Sequence, residues 1–460
     1  MKLKHLFAIL LCCLAISATA ATPKYVFYFI GDGMGPGQTM TTANYYRMAL
    51  GDTAGLPMMS LPVNSYVTTH SYSSPVTDSA AAGTALSTGH KTRNGMIGMS
   101  ADTTVVYSVA KKFHDAGYGV GIITTTAADD ATPSSFYAHV PNRNMFYEIG
   151  RQAGESGYEV IGGASLRGTN GGNNDLMSYI ESCGVEVVKG IEAMRKSDSR
   201  RVLLLPDVYV DNNDIGYAVD SIAGALTLEQ MTSATIDHLM KHTPEGFFIM
   251  AEGGSIDHAC HSNDGGTAIR ETIAFNEAIS RAIDFYKERP DETLIVITAD
   301  HETGGMTVGN GHTGYNYYPQ YLVPQKASKS SFSRYCDKLT HDKTPITWEE
   351  MKQVLTEKFG FYTVVPISDG DDKRLQHAFR KAFIEGSDER TQSLYSNIGS
   401  FSNEVFDMLN RIAGVGWISG SHSGNYVPLF AIGVGSELFM GQNDNTRVPV
   451  KILKAAQLDD

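Results

Sequence analysis

Asp78 and Ser79 stand directly ahead of Ala80-Ala81-Ala82-Gly83-Thr84-Ala85, a run of small residues that reads as a helix opening at the serine. The start of a helix presents unpaired N–H groups and partial positive charge, which favour a deprotonated serine oxygen and any phosphate it meets. Taken alone, Ser79 serves equally well as an N-cap. A second kind of chemistry is spread more widely. Asp257, His258 and His261 follow Glu252 closely, Asp300-His301 forms another group, and Ser421-His422-Ser423 a third. A lone histidine at any of these places would be a hydrogen-bonded core or surface residue. Carboxylate and imidazole gathered together suit zinc.

Such groups need elements that bring them together. Tyr25 to Ile30 is an unbroken apolar run ending in Gly31-Asp32-Gly33-Met34-Gly35, as a buried strand ends in a tight turn. The same grammar recurs where Gly119 to Thr125 runs into Asp129-Asp130, Gly246 to Ala251 into Glu252, and Leu294 to Thr298 into Asp300-His301. Between them, Thr103 to Ala116, Thr227 to Lys241 and Ile269 to Lys287 carry apolar residues at helical spacing. This alternation predicts an α/β fold, a three-layer sandwich around a large, mainly parallel sheet. Ligands in such folds lie beyond the carboxyl ends of the strands, so Asp32, Asp130, Glu252 and Asp300 are expected to converge. Carboxylates crowded in that way repel one another unless cations lie among them.

The chain has 460 residues, of which 42% are hydrophobic and 19% charged, which describes a globular protein with a large core. Residues 1–20 read as a signal peptide: Lys2 and Lys4 precede the apolar run Leu6 to Ile16, and Ser17-Ala18-Thr19-Ala20 offers small residues for cleavage after Ala20. The apolar run is too short to span a bilayer. The expectation is an exported domain over residues 21–460, periplasmic or secreted and without a stable membrane anchor. Cys183, Cys260 and Cys336 would remain, an odd number, so at least one thiol stays free and disulfides do not hold the fold together. A net charge of −13, more negative once Lys2 and Lys4 leave, argues against nucleic acid as a dedicated partner. Residues from about 306 to 410 interrupt the pattern with a tyrosine-rich stretch, a capping box at Thr347-Trp348-Glu349-Glu350 and an acidic loop at Asp369 to Asp372. They read as an inserted lobe over the site or at a subunit interface.

The motifs Ile30-Gly31-Asp32-Gly33-Met34-Gly35, Val76-Thr77-Asp78-Ser79-Ala80-Ala81, Asp130-Ala131-Thr132-Pro133, Glu252-Gly253 with Ile256-Asp257-His258 and His261, Thr298-Ala299-Asp300-His301, and His422-Ser423-Gly424 occur in one order along the chain. With them the sequence resembles the bacterial and animal alkaline phosphatases over nearly the whole of residues 21–460. The resemblance implies hydrolysis of phosphate monoesters to an alcohol and inorganic phosphate through a phosphoserine on Ser79, at a centre of two zinc ions and one magnesium ion. By the same resemblance, Asp257, His261 and His422 match the ligands of the first zinc, and Asp32, Asp300 and His301 those of the second. Asp32 would reach the magnesium as well, beside Thr132 and Glu252. Arg143 matches the phosphate clamp, a guanidinium that holds two phosphate oxygens at once, and the adjacent Asp78 would orient it. A homodimer is implied in the same way.

Two positions depart from a single family pattern. Asp130 stands where some members have aspartate and others histidine, and His258 where members have lysine, histidine or tryptophan. Asp130 favours magnesium over zinc at the third site, and His258 either meets phosphate through water or packs. Within the wider superfamily, a phosphodiesterase or another phosphoryl or sulfuryl hydrolase is the alternative; outside enzymes, a metal-dependent phosphate-binding protein. Diesterases of this kind usually carry a threonine nucleophile, sulfatases a modified residue in a Cys/Ser-x-Pro-x-Arg context, and Ser79 followed by Ala80-Ala81-Ala82 fits neither.

Overall fold

The computed structural model describes residues 22–53, 55–172, 175–211, 213–392, 395 and 397–459. The proposed signal peptide lies outside them. Among the described residues no helix is long and apolar enough to cross a membrane.

Ten strands form the central sheet: β1 (Tyr25–Ile30), β2 (Val63–Thr68), β3 (Gly119–Thr124), β4 (Val160–Gly162), β5 (Glu186–Lys189), β6 (Val202–Leu205), β7 (Phe247–Glu252), β8 (Thr293–Thr298), β9 (Val427–Gly433) and β10 (Gln442–Asp444). Their spatial order is β10-β2-β9-β8-β1-β7-β3-β4-β6-β5, and only β9 runs against the rest. All four strands expected from the apolar runs, β1, β3, β7 and β8, lie in the middle of the sheet and are buried along their whole length. Burial on both faces is why their sequences are continuously apolar rather than alternating.

Neighbouring side chains on a strand point to opposite faces. On β7, Phe247 packs against Phe285, ring centres 5.6 Å apart, while Phe248 packs against Phe113 at 5.2 Å. The helices Gly265–Glu288 and Val109–Asp115 therefore cover opposite faces, which makes the three layers. Helix boundaries show where side chains overrule periodicity. The pattern from Thr103 yields a helix only from Val109, capped by Ser108. Ahead of it, Ser100 and Thr104 both bond the Asp102 carboxylate, and Thr103 sits at φ 70°, a polar turn that competes with the helix. The helix expected from Ile269 starts a turn earlier, at Gly265, where Asp264 caps it. Thr227 closes a capping box on Leu228–His242, as Thr347 does on Trp348–Phe359. Asp369 to Asp372 is not a loop. It forms the first turn of the helix Asp369–Phe379, capped by Ser368, where acidic side chains meet the positive end of the helix.

Among the described residues, 306–410 supply no strand to the central sheet. Within them Phe332 packs against Phe359 at 5.0 Å and Phe359 against Phe406 at 5.2 Å, continuous with the core of the sheet. Cys183, Cys260 and Cys336 are all free thiols.

Candidate active site

Ser79 is the first residue of the helix Ser79–Thr88, and Asp78, not Ser79, is the N-cap: its Oδ1 accepts from the Ala81 N–H at 3.0 Å. Freed from capping, the Ser79 hydroxyl lies buried at the helix start, 3.3 Å from His301 Nε2. The second Asp78 oxygen accepts from the Gly95 N–H at 2.9 Å and from Arg143 Nη1 at 3.3 Å. Arg143 also reaches Asp130 through Nη2 at 3.2 Å. One guanidinium is thus held between two carboxylates at the mouth of a cleft.

The strand ends deliver the remaining groups. The turn after β1 carries Asp32 and needs Gly33, at φ 71°, because a Cβ there would stand 2.8 Å from Asp257 Oδ1. Asp300 and His301 follow β8, and the helix Ser255–His261 after β7 carries Asp257 and His261 on one face, four residues apart. Asp32, Asp300 and His301 offer ligand atoms all within 4.8 Å of one another, as do Asp257, His301 and His422. His261 belongs to the second cluster as well: its Nε2 lies 3.2 Å from Asp257 Oδ2 and 3.1 Å from His422 Nε2. His301 reaches both groups, its ring stacked on His422 at 3.6 Å.

The donor set fits metal ions. Asp32 Oδ1, Asp257 Oδ2 and Asp300 Oδ2 are buried facing imidazole Nε2 atoms at 3.4, 3.2 and 3.2 Å without a well-formed hydrogen bond, a costly state for a carboxylate that no cation balances. Burial first, then the neighbouring carboxylates, pushes Asp32 and Asp300 well above the usual carboxylate range. Burial also disfavours charge on Asp257, but His261 and then His422 outweigh it and hold that carboxyl well below its ordinary value. Burial, with His422 adding, drives protons off His301, leaving neutral imidazole, the form that ligates metal. Glu252 ends β7 and accepts from the Thr124 hydroxyl. Burial raises its carboxyl to about 7, with Thr124 opposing and Asp130 adding. Thr132 sits in the short helix Ala131–Ser134 that Asp130 caps, its buried Oγ1 turned toward Glu252 without completing a hydrogen bond of ordinary geometry. The expected convergence of Asp32, Asp130, Glu252 and Asp300 is therefore present, with Asp257 among them.

Comparison with known proteins agrees with this geometry. The family model described as alkaline phosphatase matches residues 23–162 and 145–458. The chain belongs to the alkaline phosphatase family. It is 30% identical over 452 residues to alkaline phosphatase 4 of Bacillus subtilis (strain 168), covering 94% of this chain and 89% of the relative. It is 27% identical to the repressible alkaline phosphatase of Saccharomyces cerevisiae, covering 91% of this chain and 77% of that one. The alkaline phosphatase of Thermus thermophilus superposes with a TM-score of 0.78 at 27% identity, over 95% of this chain and 92% of that chain. The cold-active enzyme from Shewanella sp. gives 0.79 at 25% identity, over 94% and 99%. Alkaline phosphatases act on phosphate monoesters and are generally metal-dependent, so this chain is a phosphate monoester hydrolase by family.

In this alkaline phosphatase three residues that the motifs did not single out join the site. Arg167 Nη2 stands 2.9 Å from Asp130 Oδ2. Burial alone would raise the Asp130 carboxyl, yet Arg167 and then Arg143 hold it down, to about 2. Asp214 meets His258 Nδ1 with both oxygens at 3.0 Å and accepts from Ser255 Oγ at 2.6 Å. Burial works against a charge on His258, but Asp214 more than offsets it and raises the imidazole above its ordinary value. Tyr395 lies between the short strands Arg390–Gln392 and Asn397–Gly399 and lays its ring on His258 at 3.6 Å. The nearby tyrosine cluster behaves otherwise: Tyr317 is buried against the first helix, its hydroxyl donating to Thr41 O at 3.5 Å, and Tyr315 is exposed. Asp214 and Tyr395 sit in stretches with no apolar period or clustered ligands, so nothing in their local sequence marks them.

Proposed function

We propose that this chain cleaves phosphate monoesters through a covalent phosphoserine on Ser79. The observation that carries the reading is the Ser79 hydroxyl at the start of its helix, 3.3 Å from His301 Nε2 and beside the cleft that Arg143 and Asp78 line. Asp257, His261 and His422 would hold one zinc, Asp32, Asp300 and His301 a second, and Asp32, Thr132 and Glu252 a magnesium, whose oxygen donors suit a hard cation. When bound, such ions supply positive charge for the oxygens that enter and leave at phosphorus.

The chain's own residues do the rest. Arg143, oriented by Asp78 and Asp130, presents two N–H groups to two phosphoryl oxygens, which favours a monoester dianion over a diester. Ser79 Oγ gives up its proton and forms a bond to phosphorus while the bond to the alcohol oxygen breaks; the alcohol leaves with a proton. Water then attacks the same phosphorus, the Oγ–phosphorus bond breaks, Ser79 recovers its proton and inorganic phosphate departs. The helix start stabilises the serine oxygen in both steps. Residues 1–20, read as a signal peptide, make an exported enzyme the expectation.

The test is a metal analysis beside turnover of an aryl phosphate monoester, the matching diester and the sulfate, followed by acid quench in labelled substrate. Expected are zinc and magnesium in the purified protein, a preference for the monoester, and label on Ser79. Faster diester turnover would favour the related diesterases. Phosphate bound without turnover would make the chain a binding protein.

A further inference from the structure

Resting on the monoesterase reading above, we propose that Tyr395 decides which alcohol groups the active-site cleft accepts, by walling that cleft off from a second cavity behind it. The cleft has a volume of about 710 Å³ and is bounded by Asp78, Arg143, Phe146 and His422. The rear cavity, about 280 Å³, is lined by Asp211, Asp214, Tyr217 and Arg334. Asn213, Tyr395 and Asn397 line both. Tyr395 is the bulkiest of the three and the one whose ring is seated on histidines.

The wall is fixed from several sides. One ring face lies on His258 at 3.6 Å, and the ring meets His261 edge-on at 5.5 Å. His258 is itself held by both oxygens of Asp214, a residue of the rear cavity. The strands on either side of Tyr395 are tied down as well. Arg390 donates to both Asp337 oxygens, at 2.6 and 3.0 Å, and the Ser400 N–H donates to Asp388 at 2.8 Å. An aromatic side chain held this way bounds a pocket as a rigid surface. Cutting the side chain back to a methyl group joins the two cavities. Arg143 and Ser79 grip the phosphoryl end, and the Tyr395 ring, seated on His258 and His261, bounds the space beside it where the alcohol must lie.

The experiment compares kcat/KM of the full-chain, metal-loaded enzyme for glycerol phosphate and for 1-naphthyl phosphate in wild type, Tyr395→Phe and Tyr395→Ala. Expected in Tyr395→Ala is a severalfold shift of the ratio toward the bulkier naphthyl ester. Tyr395→Phe, which keeps the ring, should keep the wild-type ratio. An unchanged ratio in Tyr395→Ala overturns the proposal, and so does an equal shift in Tyr395→Phe. If Tyr395→Ala does not fold, Tyr395→Leu carries the same measurement, because it too removes the flat wall. Absence of turnover of both esters in wild type would strike the monoesterase reading; wild-type turnover with an unmoved ratio strikes only the role of Tyr395.

Discussion

The Nε2 atoms of His261 and His422 lie 3.1 Å apart while each ring's Nδ1 is committed to a backbone carbonyl, Gly420 O at 2.7 Å and Thr77 O at 2.8 Å. A neutral imidazole that donates from Nδ1 carries its lone pair on Nε2, so two lone pairs face each other beside Asp257. A shared cation resolves that conflict. Treatment with a chelator is therefore expected to lower the melting temperature and zinc to restore it, while His422→Ala loses about one equivalent of metal. Elemental analysis with calorimetry checks this; an identical melting temperature after complete metal removal would contradict it.

Ser79→Ala removes the hydroxyl but leaves the Asp78 cap and the surrounding carboxylates in place. Turnover should fall by roughly 10³-fold or more with the metal content retained. Steady-state kinetics and metal analysis on one sample decide the matter, and near-normal turnover would rule out a serine nucleophile.

Arg143 bridges Asp78 and Asp130 at 3.3 and 3.2 Å. Its charge-assisted bonds to phosphate are each worth about 1.5–3 kcal/mol, so Arg143→Ala is expected to weaken binding of inorganic phosphate about 10- to 100-fold. Inhibition by inorganic phosphate reads this directly, and unchanged inhibition would remove Arg143 from the phosphate site.

Asp214→Ala leaves the buried His258 ring without its partner. Breaking one side of a buried pair costs on the order of 3 kcal/mol. Denaturant unfolding should show that loss, with Asp214→Asn recovering part of it because an amide can still accept from Nδ1; equal stability of Asp214→Ala and wild type would mean the contact contributes nothing.

Glu271 accepts from the Ala218 N–H at 2.7 Å, and burial raises its carboxyl from 4.5 to about 8, with that bond opposing and Asp214 adding. The folded state keeps a proton that the unfolded chain releases near pH 4.5, so the stabilising contribution is complete below that pH and is lost as pH rises toward 8. Glu271→Gln should flatten the fall of melting temperature over about pH 5 to 8. Matching slopes in the two proteins would show that Glu271 does not carry the proton.

The elements and residues that the sequence made legible share a physical cause. β1, β3, β7 and β8 are buried on both faces, so their strands are written as continuous apolar runs, and their carboxyl ends hold the acidic residues at fixed places in the text. Asp32, Glu252, Asp257, Asp300 and His301 are legible for that reason, and Ser79 because small helix formers follow it. The start of the helix at Val109 was hidden, since periodicity does not register the Asp102 turn ahead of it.

Length, apolar runs and the six motifs by themselves determined the α/β class, the strands that build the centre and the residues crowded at their ends. Only the tertiary structure decided that Asp214 pairs with His258, that Arg167 shares Asp130 with Arg143, and that Tyr395 lays its ring on His258. Local patterns are written by burial and by neighbours along the chain, whereas these contacts join residues 37 to 137 positions apart. They exist because separate elements pack against one surface, and no spacing in the sequence encodes that packing.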